Sequence, residues 1–282
     1  MKCYLCGESS FKIIKKGVRD NKNVNVIECI NCSLVTLSDF SHIDDKFYRN
    51  SKMHSSSIKI LDWLEQTNVD DSRRFEFLKK KIKNKKILDF GCGNGGFLFK
   101  CKDYAADIIG IELEIKFKSF FEEENLKVFE NLSEIKTDEK FDLITAFHVF
   151  EHLKDPLMFL NELKKYLAED GEIIIEVPNS NDALLSVYDS KKFSEFTYWS
   201  QHLFLFNEQT LNKLIKKSEL SCNWIRQIQR YSIANHLHWL SKGLPGGHII
   251  WKELFSDELN NHYSEALALN KTCDTLIASL KK

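Results

Sequence analysis

The chain has 282 residues, 43% of them apolar, which is enough to bury the core of one sizeable α/β domain and to carry a small additional module. Forty basic against forty-one acidic side chains give a net charge of −1, which excludes a global positive field for nucleic acid but not a local basic groove. The first residues carry no apolar signal segment and no apolar run is long enough for a membrane span, so we expect a cytoplasmic protein without membrane insertion.

Residues 1–38 predict a small zinc ribbon. Cys3-x-x-Cys6 and Cys29-x-x-Cys32 supply four thiolates in two tight turns, the ligand set of a closed structural zinc site. Between them, residues 24–27 alternate as a short strand does. Two pairs of reduced or redox-active cysteines would have the same spacing. The remaining cysteines are isolated and are interpreted as packing residues: Cys92, Cys101, Cys222 and Cys273.

Residues 39–84 predict a helical connector, with amphipathic spacing from about residue 44 to 83. From residue 85 onward, short apolar runs alternate with helical stretches, which is typical of βαβ units and a parallel sheet. The predicted strands are 86–90, 108–111, 127–129, 141–146 and 172–177. The predicted helices are about 96–104, 115–124 and 156–167, the last ended by Asp170-Gly171.

A helix at 208–218 and a strand at 222–229 complete a core that we place at 85–230. Residues 231–270 predict a mostly helical insertion that caps the sheet. Residues 271–282 then contain the last strand, at 273–280.

A glycine-rich turn follows the first strand of this core. Residues 89–96 read Asp-Phe-Gly-Cys-Gly-Asn-Gly-Gly, and residues without side chains let the backbone approach a ligand closely. Gly91, Gly93 and Gly96 also satisfy a dinucleotide fingerprint, with Glu112 placed to bind ribose hydroxyls. The turn is therefore also compatible with an NAD-linked oxidoreductase. Asp89, two residues before the first glycine, and the preceding ribbon favour a different cofactor.

With this turn the chain resembles the class I methyltransferases that depend on S-adenosylmethionine (SAM). The similarity continues through residues 110–112, 141–144, 147–153 and 171–179, and covers about 85–180. A zinc ribbon joined to such a core is similar to the deoxysugar C- and O-methyltransferases. The resemblance implies a Rossmann-like sheet of parallel strands with an antiparallel last strand, preceded by the ribbon and carrying the helical cap.

The resemblance also implies site residues. Asp89 and the turn would face the amino-acid part of SAM, Glu112 would hold the ribose, and Asn131 stands where an acid often binds adenine. The full predicted set for SAM, and for S-adenosylhomocysteine (SAH) as product, is Asp89, Gly91, Cys92, Gly93, Asn94, Gly95, Glu112, Leu113, Asn131, Phe147 and His148.

Methyl transfer is an in-line displacement from a sulfonium, and a hydroxyl or carbon acceptor must also lose a proton. Histidine is the natural base near neutral pH. His202 lies at the position where the sugar methyltransferases carry a basic histidine, although Gln201 replaces their adjacent glutamate. Glu151 and His152, directly after the fourth strand, are the other predicted catalytic residues.

The predicted acceptor is a sugar or nucleotide-linked sugar of surface-polysaccharide or secondary metabolism, with no nucleic-acid partner. Polar and aromatic groups suited to it are Tyr198, Gln201, Arg230, Tyr231, His236 and His248. The segment from 230 to 248 is equally compatible with an amphipathic helix that has a solvated side. The same motifs are also compatible with a zinc-ribbon ribosomal RNA methyltransferase and with a non-catalytic zinc-dependent interaction module.

Overall fold

A computed structural model describes residues 1–43 and 59–282. Its strands are β1 (Phe11–Lys15), β2 (Val26–Cys29), β3 (Val35–Leu37), β4 (Lys86–Phe90), β5 (Asp107–Ile111), β6 (Lys127–Phe129), β7 (Phe141–Phe147), β8 (Leu167–Pro178), β9 (Phe204–Leu205), β10 (Ser221–Ile228) and β11 (Thr275–Lys281). Its α-helices are α1 (Ile60–Ile82), α2 (Gly96–Cys101), α3 (Lys118–Glu123), α4 (Pro156–Tyr166), α5 (Ala183–Ser186), α6 (Lys191–Thr197), α7 (Glu208–Lys217), α8 (Ile233–Lys242), α9 (Gly247–Ile250) and α10 (Asp257–Leu269).

The larger sheet has seven strands in the order β10-β11-β8-β7-β4-β5-β6. β4 pairs in parallel with β5 and with β7, and β5 pairs in parallel with β6. Parallel strands are covered on both faces, and Ile87, Leu88 and Ile174 accordingly have no exposed surface. The predicted Rossmann-like methyltransferase sheet, mostly parallel with an antiparallel last strand, is confirmed.

The smaller sheet is antiparallel, in the order β1-β2-β3-β9. β1 to β3 form the small sheet that the alternation at residues 24–27 predicts. The fourth strand comes from much later in the chain, since Val35 of β3 pairs with Leu205 of β9. This pairing continues the sheet into the segment that carries His202.

By its internal contacts the chain divides into two compact units. The first, called unit 1 here, comprises residues 1–40, 150–156 and 176–278; the second, unit 2, comprises residues 41–149, 157–175 and 279–282. The domain boundaries predicted at residues 38, 84, 230 and 270 stay predictions. The segment 231–270 contains three α-helices, α8, α9 and α10, in line with its predicted helical content.

The predicted helix at 156–167 is one residue too long, and its proposed stop at Asp170-Gly171 is wrong. α4 ends at Tyr166, and β8 begins at Leu167 without an intervening loop. Leu167 is fully buried, and its carbonyl accepts a hydrogen bond from the Lys282 ammonium. Burial and sheet pairing therefore override the local turn signal. Two further helices are shorter than predicted: α2 ends at Cys101, and α3 is preceded by a 3-10 turn over Ile115–Phe117.

α1 confirms the predicted helix for residues 60–82. The earlier part of that prediction, residues 44–58, lies outside the described residues. α1 buries one face through Trp63, Phe75, Leu78 and Ile82. None of the described helices is both long and apolar enough to cross a membrane.

Candidate active site

The glycine turn of unit 2 is held against the end of β5. Glu112, half-buried, accepts hydrogen bonds from the backbone N–H groups of Gly93 and Glu114, both at 2.8 Å. Burial raises the pKa of Glu112, and these two N–H donors partly oppose the rise. A carboxylate that is already oriented by backbone donors keeps further lone pairs for a ligand hydroxyl.

The turn has no room for larger residues. Gly91 has φ +76°, and a Cβ at this position would lie 2.4 Å from Val149 Cγ2. Gly95 opens α2 with φ +77°, a conformation that side chains rarely adopt. The glycines of this turn thus leave its backbone open to close approach by a ligand.

Asp89 lies at the carboxyl end of β4 and is 2% exposed. Its carboxylate accepts a 2.7 Å hydrogen bond from the Thr145 hydroxyl. Burial raises the pKa of Asp89 to about 7, although the Thr145 hydroxyl and the Arg74 charge lower it. A bound cation would shift this carboxyl back to its ionised form.

α1 supplies the side of the pocket that the sequence analysis missed. A Cβ on Gly93 would touch the Trp63 ring at 3.5 Å, and a Cβ on Gly96 would lie 2.2 Å from Asp71 Oδ2. Asp71 is 4% exposed, and its Oδ2 has no hydrogen-bond partner among the described residues. The only sequence signal is a pair of charged residues, Asp71 and Arg74, on the otherwise apolar face of an amphipathic helix.

The other residues predicted to bind the cofactor differ in exposure. The Asn94 side chain is buried, donates to Thr67 Oγ1 at 2.9 Å and accepts from the Gly96 N–H at 2.9 Å. Leu113 is 40% exposed, and Asn131 donates its backbone N–H to Glu134 beyond β6. The remaining ones are Cys92 and Phe147, both buried, and His148, half-buried with φ +55°.

The unit 2 pocket therefore combines a glycine turn with buried and half-buried carboxylates. One carboxylate oxygen, Asp71 Oδ2, still lacks a donor among the described residues, and burying such an atom costs free energy until a ligand supplies one. A ligand with ribose hydroxyls and positive charge fits this set of carboxylate acceptors. SAM carries both, in its ribose and in its sulfonium and ammonium groups.

The three residues predicted to be catalytic meet in unit 1. Glu151, His152 and His202 each place one nitrogen or oxygen atom within 4.8 Å of the others. We call these three residues the reactive cluster. Glu151 is 1% exposed, and its Oε1 lies 3.9 Å from His152 Nε2. The two imidazole ring centres are 5.1 Å apart.

The predicted acceptor residues are not gathered in one place. Gln201 is buried beside the reactive cluster, and its side-chain oxygen has no partner among the described residues. Tyr198 lines a separate cavity of about 500 Å³ in unit 1, together with Glu28, Ser180 and Asn207.

His236 is buried, and its Nδ1 lies 2.8 Å from the Tyr263 hydroxyl. Burial lowers the pKa of His236 to about 4, so this histidine is neutral at physiological pH. Tyr231 is 38% exposed and contacts both Arg230 and His248.

A basic and aromatic surface of unit 1 adjoins the reactive cluster. The Arg19 guanidinium lies 4.6 Å from the centre of the Trp199 ring and 5.3 Å from that of Phe196. The Trp199 ring in turn lies 5.3 Å from His202. Lys192 pairs with Glu195 at 3.2 Å. The hydrogen bond from Lys192 lowers the pKa of Glu195, and the charges of Lys15 and Lys22 lower it further. We define the basic-aromatic surface as Lys15, Arg19, Lys22, Lys192, Phe196 and Trp199.

The four N-terminal cysteines converge in unit 1. Cys3 Sγ lies 3.5 Å from Cys32 Sγ, and Cys6 Sγ lies 3.5 Å from Cys29 Sγ. All four sulfurs lie within 4.8 Å of one another, and all four residues are free cysteines. A tetrahedron with Zn–S bonds of 2.3 Å has sulfur–sulfur edges of about 3.8 Å. The cluster therefore has the donors and the size of a four-thiolate metal site.

The fold and the glycine-turn pocket define a methyltransferase of the Rossmann-like class. A family model described as "Methyltransferase domain" matches residues 65–222, more than half of the chain. The chain belongs to this family, and membership supports the predicted SAM cofactor.

Solved structures agree on the fold. Coclaurine N-methyltransferase, bound to N-methylheliamine and SAH, is 14% identical with a TM-score of 0.55, over 84% of this chain and 82% of that one. A SAM-dependent methyltransferase from Archaeoglobus fulgidus is 19% identical with a TM-score of 0.52, over 78% of this chain and 99% of that one.

Curated relatives are more informative about the acceptor. An uncharacterized protein of Methanocaldococcus jannaschii is 30% identical over 143 residues, 48% of this chain and 60% of that protein. A tRNA U34 carboxymethyltransferase of Helicobacter pylori (strain Shi470) is 28% identical over 143 residues, which are 46% of this chain and 53% of that protein. The chain thus spans between half and two thirds of the length of these two relatives. A Campylobacter jejuni (strain 81116) protein of the same name is 25% identical over 243 residues, 74% of this chain and 82% of that protein.

These names overturn two predictions. The sugar or nucleotide-sugar acceptor is wrong, and so is the expectation of no nucleic-acid partner. The sugar prediction depended on the zinc ribbon and on His202, neither of which identifies an acceptor by its own chemistry. The second relied on the net charge of −1, which does not exclude a local cationic surface such as that around Arg19.

Proposed function

We propose that this chain is a SAM-dependent transferase that alkylates a base of transfer RNA. The observation that carries the proposal is the similarity to several proteins named tRNA U34 carboxymethyltransferase, in two cases along 82% of that protein. These relatives favour an RNA acceptor over a sugar.

The cofactor half of the proposal is assigned to unit 2. Glu112 would hold the ribose, and Asp89 and Asp71 would accept hydrogen bonds from the ammonium group of the cofactor's amino-acid part. Arg74 would pair with its carboxylate, since a guanidinium suits that group geometrically. When bound, SAM would supply a methyl group that the acceptor attacks in line, with S-adenosylhomocysteine as the leaving group.

The RNA half of the proposal is assigned to unit 1. Unpaired bases are commonly stacked on aromatic side chains and on arginine, while lysines hold the phosphates. The basic-aromatic surface offers both, with Arg19 stacked on Trp199 and exposed Lys22 and Lys192 around it. Its contact with His202 would bring a stacked base to the reactive cluster, which activates the acceptor atom.

We propose further that the four-cysteine cluster holds a structural zinc ion. Four thiolates at tetrahedral spacing satisfy zinc and leave no open position for chemistry. The site ties the first turn of the chain to the end of β2, and so fixes the sheet that continues into β9. The zinc would therefore act on the acceptor region only by holding that sheet.

The decisive experiment compares transfer RNA from cells with and without the gene. Nucleoside mass spectrometry of total tRNA should show one modified uridine that disappears on deletion. Incubating the deletion-strain tRNA with the purified chain and SAM, or with a cell extract as source of another sulfonium donor, should restore it. A transcript in which the nucleotide at position 34 is replaced serves as the matched control.

Unchanged nucleoside profiles with a methylated small molecule in the same extracts would refute an RNA acceptor. Modification at a position other than 34 would keep the RNA acceptor but place the modified base away from the position that the relatives' names give. A chain that binds no SAH in a calorimetric titration would refute the cofactor assignment itself.

A further inference from the structure

The reactive cluster of unit 1 has the composition of an open metal site. Two imidazoles and one carboxylate suit zinc and the other divalent transition metals, and three protein ligands leave coordination positions for other molecules. We propose that Glu151, His152 and His202 bind one divalent transition-metal ion, distinct from the ion of the four cysteines. The open positions would take water or an acceptor oxygen. This inference does not depend on whether the acceptor is an RNA.

The orientation of His152 is the first argument. Its Nδ1 lies 2.9 Å from the backbone oxygen of Gln201. A carbonyl oxygen only accepts, so Nδ1 carries the proton, and in the neutral ring Nε2 presents a lone pair. Metal-binding histidines are commonly fixed in this way, with the second nitrogen donating to a carbonyl or a carboxylate.

The partner of that lone pair is the second argument. His152 Nε2 faces Glu151 Oε1 at 3.9 Å. A neutral imidazole lone pair and a carboxylate oxygen are both acceptors, so a positive centre between them stabilises the arrangement. A metal ion, or a proton on His152, would supply such a centre. The distance is about 0.5 Å longer than the donor–donor edge of roughly 3.4 Å in a tetrahedral site with 2.0–2.1 Å bonds, so small side-chain rotations close it.

The third argument is how firmly the ligands are placed. Leu203, next to His202, donates its N–H to the Glu151 carbonyl at 2.8 Å. The Leu203 carbonyl in turn accepts a 2.8 Å hydrogen bond from the Thr36 hydroxyl. The third ligand is therefore anchored to the first through the backbone and to the ribbon sheet. Such preorganisation is what a metal site needs to select its geometry.

Burial and surroundings complete the case. Glu151 is 1% exposed, and a metal ion beside a buried carboxylate stabilises its ionised form. The buried Gln201 side-chain oxygen can accept from a metal-bound water or hydroxyl. Trp199 packs edge-on against both imidazoles.

Metal analysis of the full chain separates the two sites. After equilibration with Zn²⁺ and gel filtration, the wild-type chain should retain two zinc ions. Glu151→Gln and His202→Asn should each retain only the zinc ion of the four cysteines. Cys3→Ser should retain only the zinc ion of the reactive cluster. His262→Asn changes an exposed histidine of unit 1 and should retain both. Unchanged SAH affinity and melting temperature show that each cluster variant is folded.

Cobalt identifies which site is filled. Co²⁺ bound by cysteines absorbs through sulfur-to-metal charge transfer, whereas Co²⁺ on nitrogen and oxygen shows only its weaker ligand-field bands. Added to Cys3→Ser, Co²⁺ should still give the weaker bands, and Glu151→Gln should remove them. A wild-type chain that retains one zinc, or cluster variants that retain as much as the wild type, would overturn the proposal and leave the cluster as a proton-sharing group.

Discussion

The Arg74 guanidinium lies over the ring of Phe147, 4.6 Å from its centre. On its other side Arg74 pairs with Asp71 at 3.4 Å, three residues earlier in α1. Phe147 in turn meets Phe97 of α2 edge to face, with ring centres 5.0 Å apart. These contacts hold one cation of α1 beside the glycine turn. They make the helix before the sheet part of the pocket wall.

Arg74→Met should weaken SAH binding by about 10- to 100-fold, because a charge-assisted hydrogen bond contributes roughly 1.5–3 kcal/mol. Methionine keeps most of the packing against Phe147 but cannot pair with a ligand carboxylate. Arg73→Met is the matched control, since Arg73 makes the same type of pair with Asp70. Calorimetric titration with SAH measures both. Equal affinities in the two variants would remove Arg74 from the pocket.

Local patterns predicted the core of unit 2 well. Buried parallel strands need continuous apolar runs, and the glycine turn needs its own residue types, so β4, β5 and β7 and the position of Glu112 follow from short windows of sequence. The cysteine spacing likewise predicted that Cys3, Cys6, Cys29 and Cys32 would converge.

What the sequence could not predict depends on long-range contacts. The pairing of β3 with β9 joins residues 170 positions apart. β3 has three residues and β9 has two, and neither short sequence indicates its partner strand. The role of Arg74 depends on which face of α1 meets the glycine turn. The acceptor class was wrong because net charge describes the whole chain, whereas binding responds to a local surface.

Cys29→Ser should lower the melting temperature and release one metal ion per chain, because a small module with little core owes its fold largely to its metal. Loss of that sheet should also reduce turnover, since β9 leads out of the segment that carries His202. Cys222→Ser alters an isolated cysteine of β10 and serves as the control. A Cys29→Ser protein that keeps its metal content and its melting temperature would contradict the structural zinc.

Asp182 should make the protein less stable as pH rises. Its carboxylate accepts a 2.7 Å hydrogen bond from the Leu184 N–H, and burial, with the nearby charge of Asp274, raises its pKa to about 8. The unfolded value is about 3.9. Between these values the folded state binds more protons than the unfolded state, so stability falls with rising pH.

Asp182→Asn retains the cap for α5 and removes this titration. The variant should match the wild type near pH 4 and exceed its unfolding free energy by at least about 1 kcal/mol at pH 8. Urea unfolding at pH 5 and pH 8 measures the difference. Asp189→Asn changes an exposed acid that follows α5, and its unfolding free energy should match that of the wild type at both pH values. A constant offset between Asp182→Asn and the wild type at all pH values would contradict the raised pKa.

Arg19→Gln and Lys22→Gln together should weaken tRNA binding by about 10-fold or more and reduce its dependence on salt. Each cation that contacts a phosphate releases a counterion, so the slope of log affinity against log salt concentration falls by roughly 0.7–0.9 for each lost contact. Lys213→Gln, on α7, removes an exposed cation that is not part of the basic-aromatic surface and should leave the slope unchanged. Filter binding across a salt series measures all three proteins. If the double variant and the Lys213 variant gave the same slope as the wild type, RNA would have to bind elsewhere. SAH affinity should stay the same throughout, because the substituted residues lie in unit 1 and the cofactor pocket is built from unit 2.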